Sequence, residues 1–306
     1  MRRAKLCSAT TETSIRERNH RELDDSMPHV MDAHSDVWQL QLPLTLVCLF
    51  TAFVYVRGWL FLRSTSFNRI QIWRAISVLI GMSLIWVAVA SPIASWHTEL
   101  LTAHMVQHLL LMTFGAPLIW LGAPGRPLLI GLPSALMYAF VHPAVRRPLQ
   151  RIGRTLGRPA VCWCAATATL VGWHVPAAFT VAMQSHLWHG IELASFLVAG
   201  MLFWLPVIHA RPDASASTGW SMVVYLFLAT LPCDILSAFL VFSERVAYPI
   251  YLSTPRQSNL SVFDDQQLAG ALMWTAVTIV YLTAGAILSA RLLSPQGSAR
   301  HAVESI

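Results

Sequence analysis

The chain has 306 residues, of which 55% are hydrophobic and 12% charged, with a formal net charge of +6 and a mean hydropathy of +0.54. A soluble domain carries about 25% charged residues, so a soluble fold is excluded. The excess charge is arginine, since Lys5 is the one lysine, and without a basic stripe interleaved with aromatics no nucleic-acid partner is expected.

Apolar runs of bilayer length recur along the chain and predict an all-α, polytopic membrane protein with a bundle of about seven transmembrane helices. Residues 1–37 form a polar N-terminal tail that lacks the apolar core of a signal peptide and is expected to be disordered. It carries His29 and His34, and a later start at Met27 or Met31 would remove its basic distal part. The transmembrane domain is predicted over 38–293, with 294–306 as a C-terminal tail. Its spans are read at Trp38–Leu62, Ile72–Pro92, Leu100–Leu121, Pro159–Met183, Leu187–His209, Trp220–Phe242 and Leu268–Leu293. Leu128–Val141 is too short to cross and is interrupted by Pro133, so it reads as an interfacial or re-entrant piece.

Orientation follows from arginine. Arg57, Arg63, Arg69 and Arg74 surround the first connection, Arg126, Arg146, Arg147, Arg151, Arg154 and Arg158 fill the third, and Arg211 lies in the fifth. The second and fourth connections carry none, while the sixth has Arg245 and Arg256, so the odd connections are expected inside, the N-terminus outside and the C-terminus in the cytoplasm.

The cysteines Cys7, Cys48, Cys162, Cys164 and Cys233 form no disulfide framework. Most lie in apolar runs, where free cysteine behaves as a small hydrophobe. Histidine is more informative. His104 and His108 are one helical turn apart inside the third span, so both imidazoles share a face and reach one ligand. Ionisable groups at membrane depth are costly, and each is a functional hypothesis by default. With the helices oriented, His97 precedes the third span on the outer side. His174 lies about 9 Å from the outer end of the fourth span and Asp234 about 13 Å from that of the sixth, at ~1.5 Å per residue. His186 and His189 open the fifth span, Glu192 follows one turn deeper, and Asp264 and Asp265 begin the seventh. The outer half of the membrane therefore collects almost every intramembrane ionisable group.

Each of these has a plainer explanation: His97, His186 and Asp264 as wetted interfacial residues, His174 as a histidine hydrogen-bonded to a carbonyl, Met105 as packing. Two imidazoles facing one another in lipid resist such an explanation and suit a shared metal ion, which imidazole alone does not identify among Cu, Zn, Fe and Ni. The candidate ligands are His104, His108, His174, His189, His186 and His97. Asp234, Asp265, Glu192 and Met105 are positioning groups or alternative ligands.

The chain resembles the CtaG-like family of cytochrome c oxidase assembly factors of the integral membrane type. The matching pieces are His97 followed by His104-Met105-Val106-Gln107-His108, then Ala116-Pro117, Trp173-His174 with Pro176, the His186/His189 pair and Phe203-Trp204. The last is Asp265-Gln266-Gln267-Leu268-Ala269-Gly270 leading to Met273-Trp274. The resemblance runs from about Trp38 to Leu293. It implies a seven-helix protein of the bacterial inner membrane that is not an enzyme. Such a protein handles or delivers copper, with cytochrome c oxidase subunits and a periplasmic copper carrier as partners. The family's polar motif positions carried over are His97, His104, His108, His174, His186, His189 and Asp265. Where the family pattern continues with Tyr-Asp after Pro176, this chain has Phe179 and Thr180, so a carboxylate is missing.

Two other functions fit the residues. One is an intramembrane zinc hydrolase, with His104, His108 and Asp234 around a water-activating ion. The other is a haem-bearing electron-transfer protein, which needs axial ligands from opposite sides of the ring, such as His108 with His174.

Overall fold

The computed structural model describes residues 42–64, 71–209, 216–255 and 259–293. The two tails, the alternative starts, and Arg69, Arg211 and Arg256 lie outside these residues. The chain divides after Val47 into two units, and Cys48–Ile306 forms the second. The described residues of the first are the opening turns of one helix.

Among the described residues the protein is all-helical. Six helices are long and apolar enough to cross a membrane: α1 Leu42–Ser64, α2 Ile72–Ala90, a composite span Leu101–Leu121, α10 His186–Ile208, α11 Ala216–Phe242 and α12 Val262–Leu293. The pair α8 Pro159–His174 and α9 Pro176–Gln184, bent by 75°, makes a seventh crossing if it counts as one broken span. The sequence reads this fourth span as one uninterrupted helix. Pro176 breaks it, because the residue before a proline is pushed to extended backbone, and Val175 sits at φ −63°, ψ 127°. The seventh span also starts earlier than the hydropathy suggests, taking Asp264 and Asp265 into its first turn.

The composite span is α3 Leu101–His108, a seven-residue π-helix Leu109–Gly115, and α4 Ala116–Leu121. Pro117 explains the wide turn: its ring clashes with the carbonyl four residues back and it has no N–H to donate. The Ala116 amide bonds Leu111 O instead, and the Trp204 indole takes the carbonyl of Met112 at 3.0 Å. Gly200 of α10 touches this wide turn so closely that a Cβ there would lie 2.8 Å from Met112 Cα.

After α4 come three helices too short to span: α5 Gly125–Gly131, α6 Ser134–Val141 and α7 Pro143–Leu156. The chain breaks at Pro133, where the sequence places an interruption. In α7, Val145, Leu149, Ile152 and Leu156 recur at helical spacing, and Arg146, Arg147, Arg151 and Arg154 fill the other side, the pattern of a helix lying along a membrane surface.

Two cores hold the second unit together. A smaller one joins Tyr55 and Trp59 of α1 to Ala75 and Val78 of α2. The larger one gathers Met105, Phe179, Phe196, Phe203, Trp204 and Tyr281 around α10 and α12. The outward faces carry exposed Phe53, Phe227, Ile235 and Phe239, which suits lipid as solvent.

Candidate metal centre

The residues that lead into the composite span are held by polar clamps rather than by apolar packing. Asp265, fully buried in the first turn of α12, accepts the Leu101 amide at 2.8 Å and the Thr102 amide at 3.1 Å, while Thr102 Oγ1 donates to Asp265 O. It caps the orphan N–H groups of α3 from another helix. Gln266 accepts the Ala247 amide and donates to the carbonyls of Leu240 and Arg245. Gln267 donates to Val241 O. The Asp265-Gln266-Gln267 run thus ties α3 and the end of α11 to the start of α12. Gln107, between the two histidines of α3, donates to Ala88 O at 2.7 Å and so ties α3 to α2.

This scaffold brings histidines from three segments against one carboxylate. Glu192 of α10 is fully buried, and its Oε1 lies 3.2 Å from His104 Nε2 and 3.4 Å from His108 Nε2. Only the first pair is aligned as a hydrogen bond, with the imidazole N–H donating. His104 and His108 meet edge to face at 4.4 Å between centroids, as a one-turn spacing requires. His189, one turn before Glu192, lies 5.5 Å from His104 and stacks on His97 at 3.9 Å. A nitrogen of His104, a nitrogen of His189 and an oxygen of Glu192 lie within 4.8 Å of one another.

His97 sits in the 3-10 turn Pro92–Thr98 that precedes α3. Its Nδ1–H donates to Ala94 O at 2.6 Å, and Tyr251 donates to its carbonyl. Burial pushes its pKa down to about 4, with His104 and His186 adding repulsion, so at neutral pH the ring is uncharged and its other nitrogen keeps a lone pair. Across the cluster, Phe179 lies 4.9 Å from His104 and stacks on Tyr248 at 4.0 Å. Burial raises the Tyr248 phenol, and its OH donates to His174 O. Phe179 thus forms an apolar wall over the histidines.

Five buried polar atoms of this group have no hydrogen-bond partner: His104 Nδ1, both ring nitrogens of His108, His189 Nε2 and Glu192 Oε2. Each orphan costs about 1–3 kcal/mol, and so many in one place fit donors arranged for an ion. Donors held at about 2.1 Å in a tetrahedral site lie about 3.4 Å apart, so the triad needs to close by about 1.4 Å or less. Two imidazoles and a carboxylate suit Cu or Zn alike.

The other candidates fall in different places. His174 is buried at the end of α8, 5.8 Å from His108 but with its Nδ1 on Leu170 O. His186 is exposed at the first position of α10. Asp265 has both carboxylate oxygens on backbone amides. Asp234 is half-buried on α11 with an unpartnered Oδ1, and the carboxylate that joins the histidines is Glu192. Sequence spacing finds the His104/His108 and His189/Glu192 turns separately. It gives no sign that Phe179, Tyr248 and Tyr251 enclose them.

Fold and site define a polytopic α-helical membrane protein with a buried histidine–carboxylate cluster where several spans begin or end. The chain belongs to the family of cytochrome c oxidase caa3 assembly factors (Caa3_CtaG), whose family model matches residues 53–294. No curated protein and no solved structure matches the chain.

Proposed function

We propose that the protein serves the assembly of a cytochrome c oxidase by receiving copper at the His104/His189/Glu192 group and passing it on. Copper is cargo in this reading, not a resident cofactor, and the protein turns nothing over. The observation that carries it is the set of unpartnered buried donor atoms gathered around Glu192. His97 and exposed His186 stand beside His189, a path from the surface to the buried group. In chain order the arginines of α7 follow the end of the composite span opposite the histidines. By the positive-inside rule the cluster then faces the periplasmic side of a bacterial inner membrane, with the N-terminus outside and the C-terminus in the cytoplasm. A periplasmic copper carrier is the donor and an oxidase subunit the acceptor.

A His-His-Glu donor set is also that of catalytic zinc sites, which keep a fourth position open for water. That makes zinc hydrolysis the second reading. Haem is disfavoured, because the cavity beside His108 and His174 is about 40 Å³, while pockets for small-molecule cofactors span about 300–1,000 Å³. Metal analysis of the detergent-purified chain separates the two remaining functions. Copper bound without hydrolytic turnover, and lost in Glu192→Gln, is the expected result. Bound zinc with hydrolysis of a peptide or ester substrate overturns it.

A further inference from the structure

Beside His108 lies a cavity of about 40 Å³ lined without His104, His189 or Glu192, and its walls differ in chemistry from the cluster. Three methionines and a cysteine line it from three segments: Met105 and Met112 from the composite span, Cys233 from α11 and Met273 from α12. His108 and His174 line it too. Free Cys and Met are common in apolar cores, so their presence alone decides nothing. The geometry of His174 does more. Its Nδ1 lies 2.7 Å from the carbonyl of Leu170, which can only accept, so Nδ1 carries the proton and the neutral ring has a lone pair on Nε2. That Nε2 is 3.3 Å from Met105 Sδ, an atom that also has only lone pairs to offer. Two acceptors face each other at the edge of a cavity with no proton between them. An electrophile placed against both resolves the contact, and a thioether selects a soft one.

We propose that this cavity is a second holding position for cuprous ion, with His174 Nε2 and Met105 Sδ as its fixed donors and Met112, Met273 and Cys233 as exchangeable sulfur neighbours. The inference rests on the copper-handling reading above and extends it. The cluster offers nitrogen and oxygen, the cavity nitrogen and sulfur, and His108 stands between them, 4.4 Å from the His104 ring and 5.8 Å from the His174 ring. Cu(I) moves from one to the other by ligand exchange at constant oxidation state. The single positive charge is offset by the nearby Glu192 carboxylate. A volume of about 40 Å³ admits an ion or a few waters.

The test is anaerobic titration of the full-length, detergent-purified chain with Cu(I) and, separately, with Ag(I), followed by X-ray absorption of the loaded protein. Two equivalents with a sulfur shell are expected. Met105→Leu, which conserves volume, should lose the sulfur shell and one equivalent. The His104→Ala/Glu192→Gln pair should lose the other equivalent and keep the sulfur-bound ion. If Met105→Leu does not yield monodisperse protein, Met273→Leu approaches the cavity from another helix and should weaken the sulfur-bound equivalent at least tenfold. A single equivalent with only nitrogen and oxygen ligation overturns the cavity position and leaves the cluster standing. A single sulfur-bound equivalent that survives loss of His104 and Glu192 does the reverse. Sulfur ligation unchanged in both methionine variants overturns the donor assignment, and no bound Cu(I) or Ag(I) overturns both readings.

Discussion

Replacing Asp265 with alanine should both destabilise the protein and loosen the metal centre, although the carboxylate touches no histidine of the cluster. Asp265 accepts two backbone amides at 2.8 and 3.1 Å in a fully buried setting. Hydrogen bonds to a charged group contribute about 1.5–3 kcal/mol each, so removing both costs about 3–6 kcal/mol. At about 2 °C per kcal/mol, appropriate to a chain of this size, the melting temperature should fall by about 6–12 °C. Asp265→Asn keeps one acceptor oxygen and should lose about half as much. Asp264 is the control: it is exposed and pairs with Ser261 at the first turn of the same helix, so Asp264→Ala should cost about 1 kcal/mol or less. Tryptophan fluorescence melting in mild detergent reads the stability, and equilibrium copper binding reads the site. The freed end of α3 begins only three residues before His104, so affinity should fall along with stability. If Asp265→Ala melts within 2 °C of the parent with unchanged copper affinity, α3 is not held from α12 and the clamp does not organise the site.

Gly200→Ala puts a Cβ 2.8 Å from Met112 Cα and should destabilise by about 1–3 kcal/mol through overpacking, measured by the same melting assay; an unchanged melting temperature would mean that α10 does not seat against the π-helix. Pro176→Ala frees Val175 from its extended backbone and should straighten the α8–α9 bend, seen as increased distance between spin labels near the starts of α8 and the ends of α9. For His97, held down to about 4 by burial against about 6.5 unfolded, the unfolded chain binds the extra proton between those values. Its contribution to stability is therefore complete above about pH 6.5 and declines as pH falls toward 4. His97→Gln should flatten that part of the melting-temperature profile, and an identical profile would refute the burial of the ring.

Much of this architecture is legible in the amino-acid order. Apolar runs identify the membrane helices, Pro133 marks a break, and the four-residue spacing of His104 and His108 fixes their shared face because helical geometry leaves no alternative. The fourth span was harder to read, since hydropathy continues smoothly across Val175 and only the local effect of Pro176 bends the chain. The π-helix hides in the same way behind Pro117, whose cost is absorbed by Trp204, almost ninety residues away. Glu192 is visible as an intramembrane acid, but its place between two histidines of another helix depends on how α3 and α10 pack. Asp265 carries the opposite lesson. The sequence offers it as a positioning group or an alternative ligand, and its oxygens answer the open end of α3.

The central claim, that the His104 and Glu192 group handles copper for an oxidase, is tested most directly in cells that depend on this protein. The oxidase is purified from cells carrying either the parent chain or His104→Ala/His108→Ala, with equal membrane levels of the two verified by immunoblot, and copper and haem per oxidase are measured. The account predicts a several-fold loss of copper with haem little changed. A fully copper-loaded, active oxidase from cells with the double variant would contradict it.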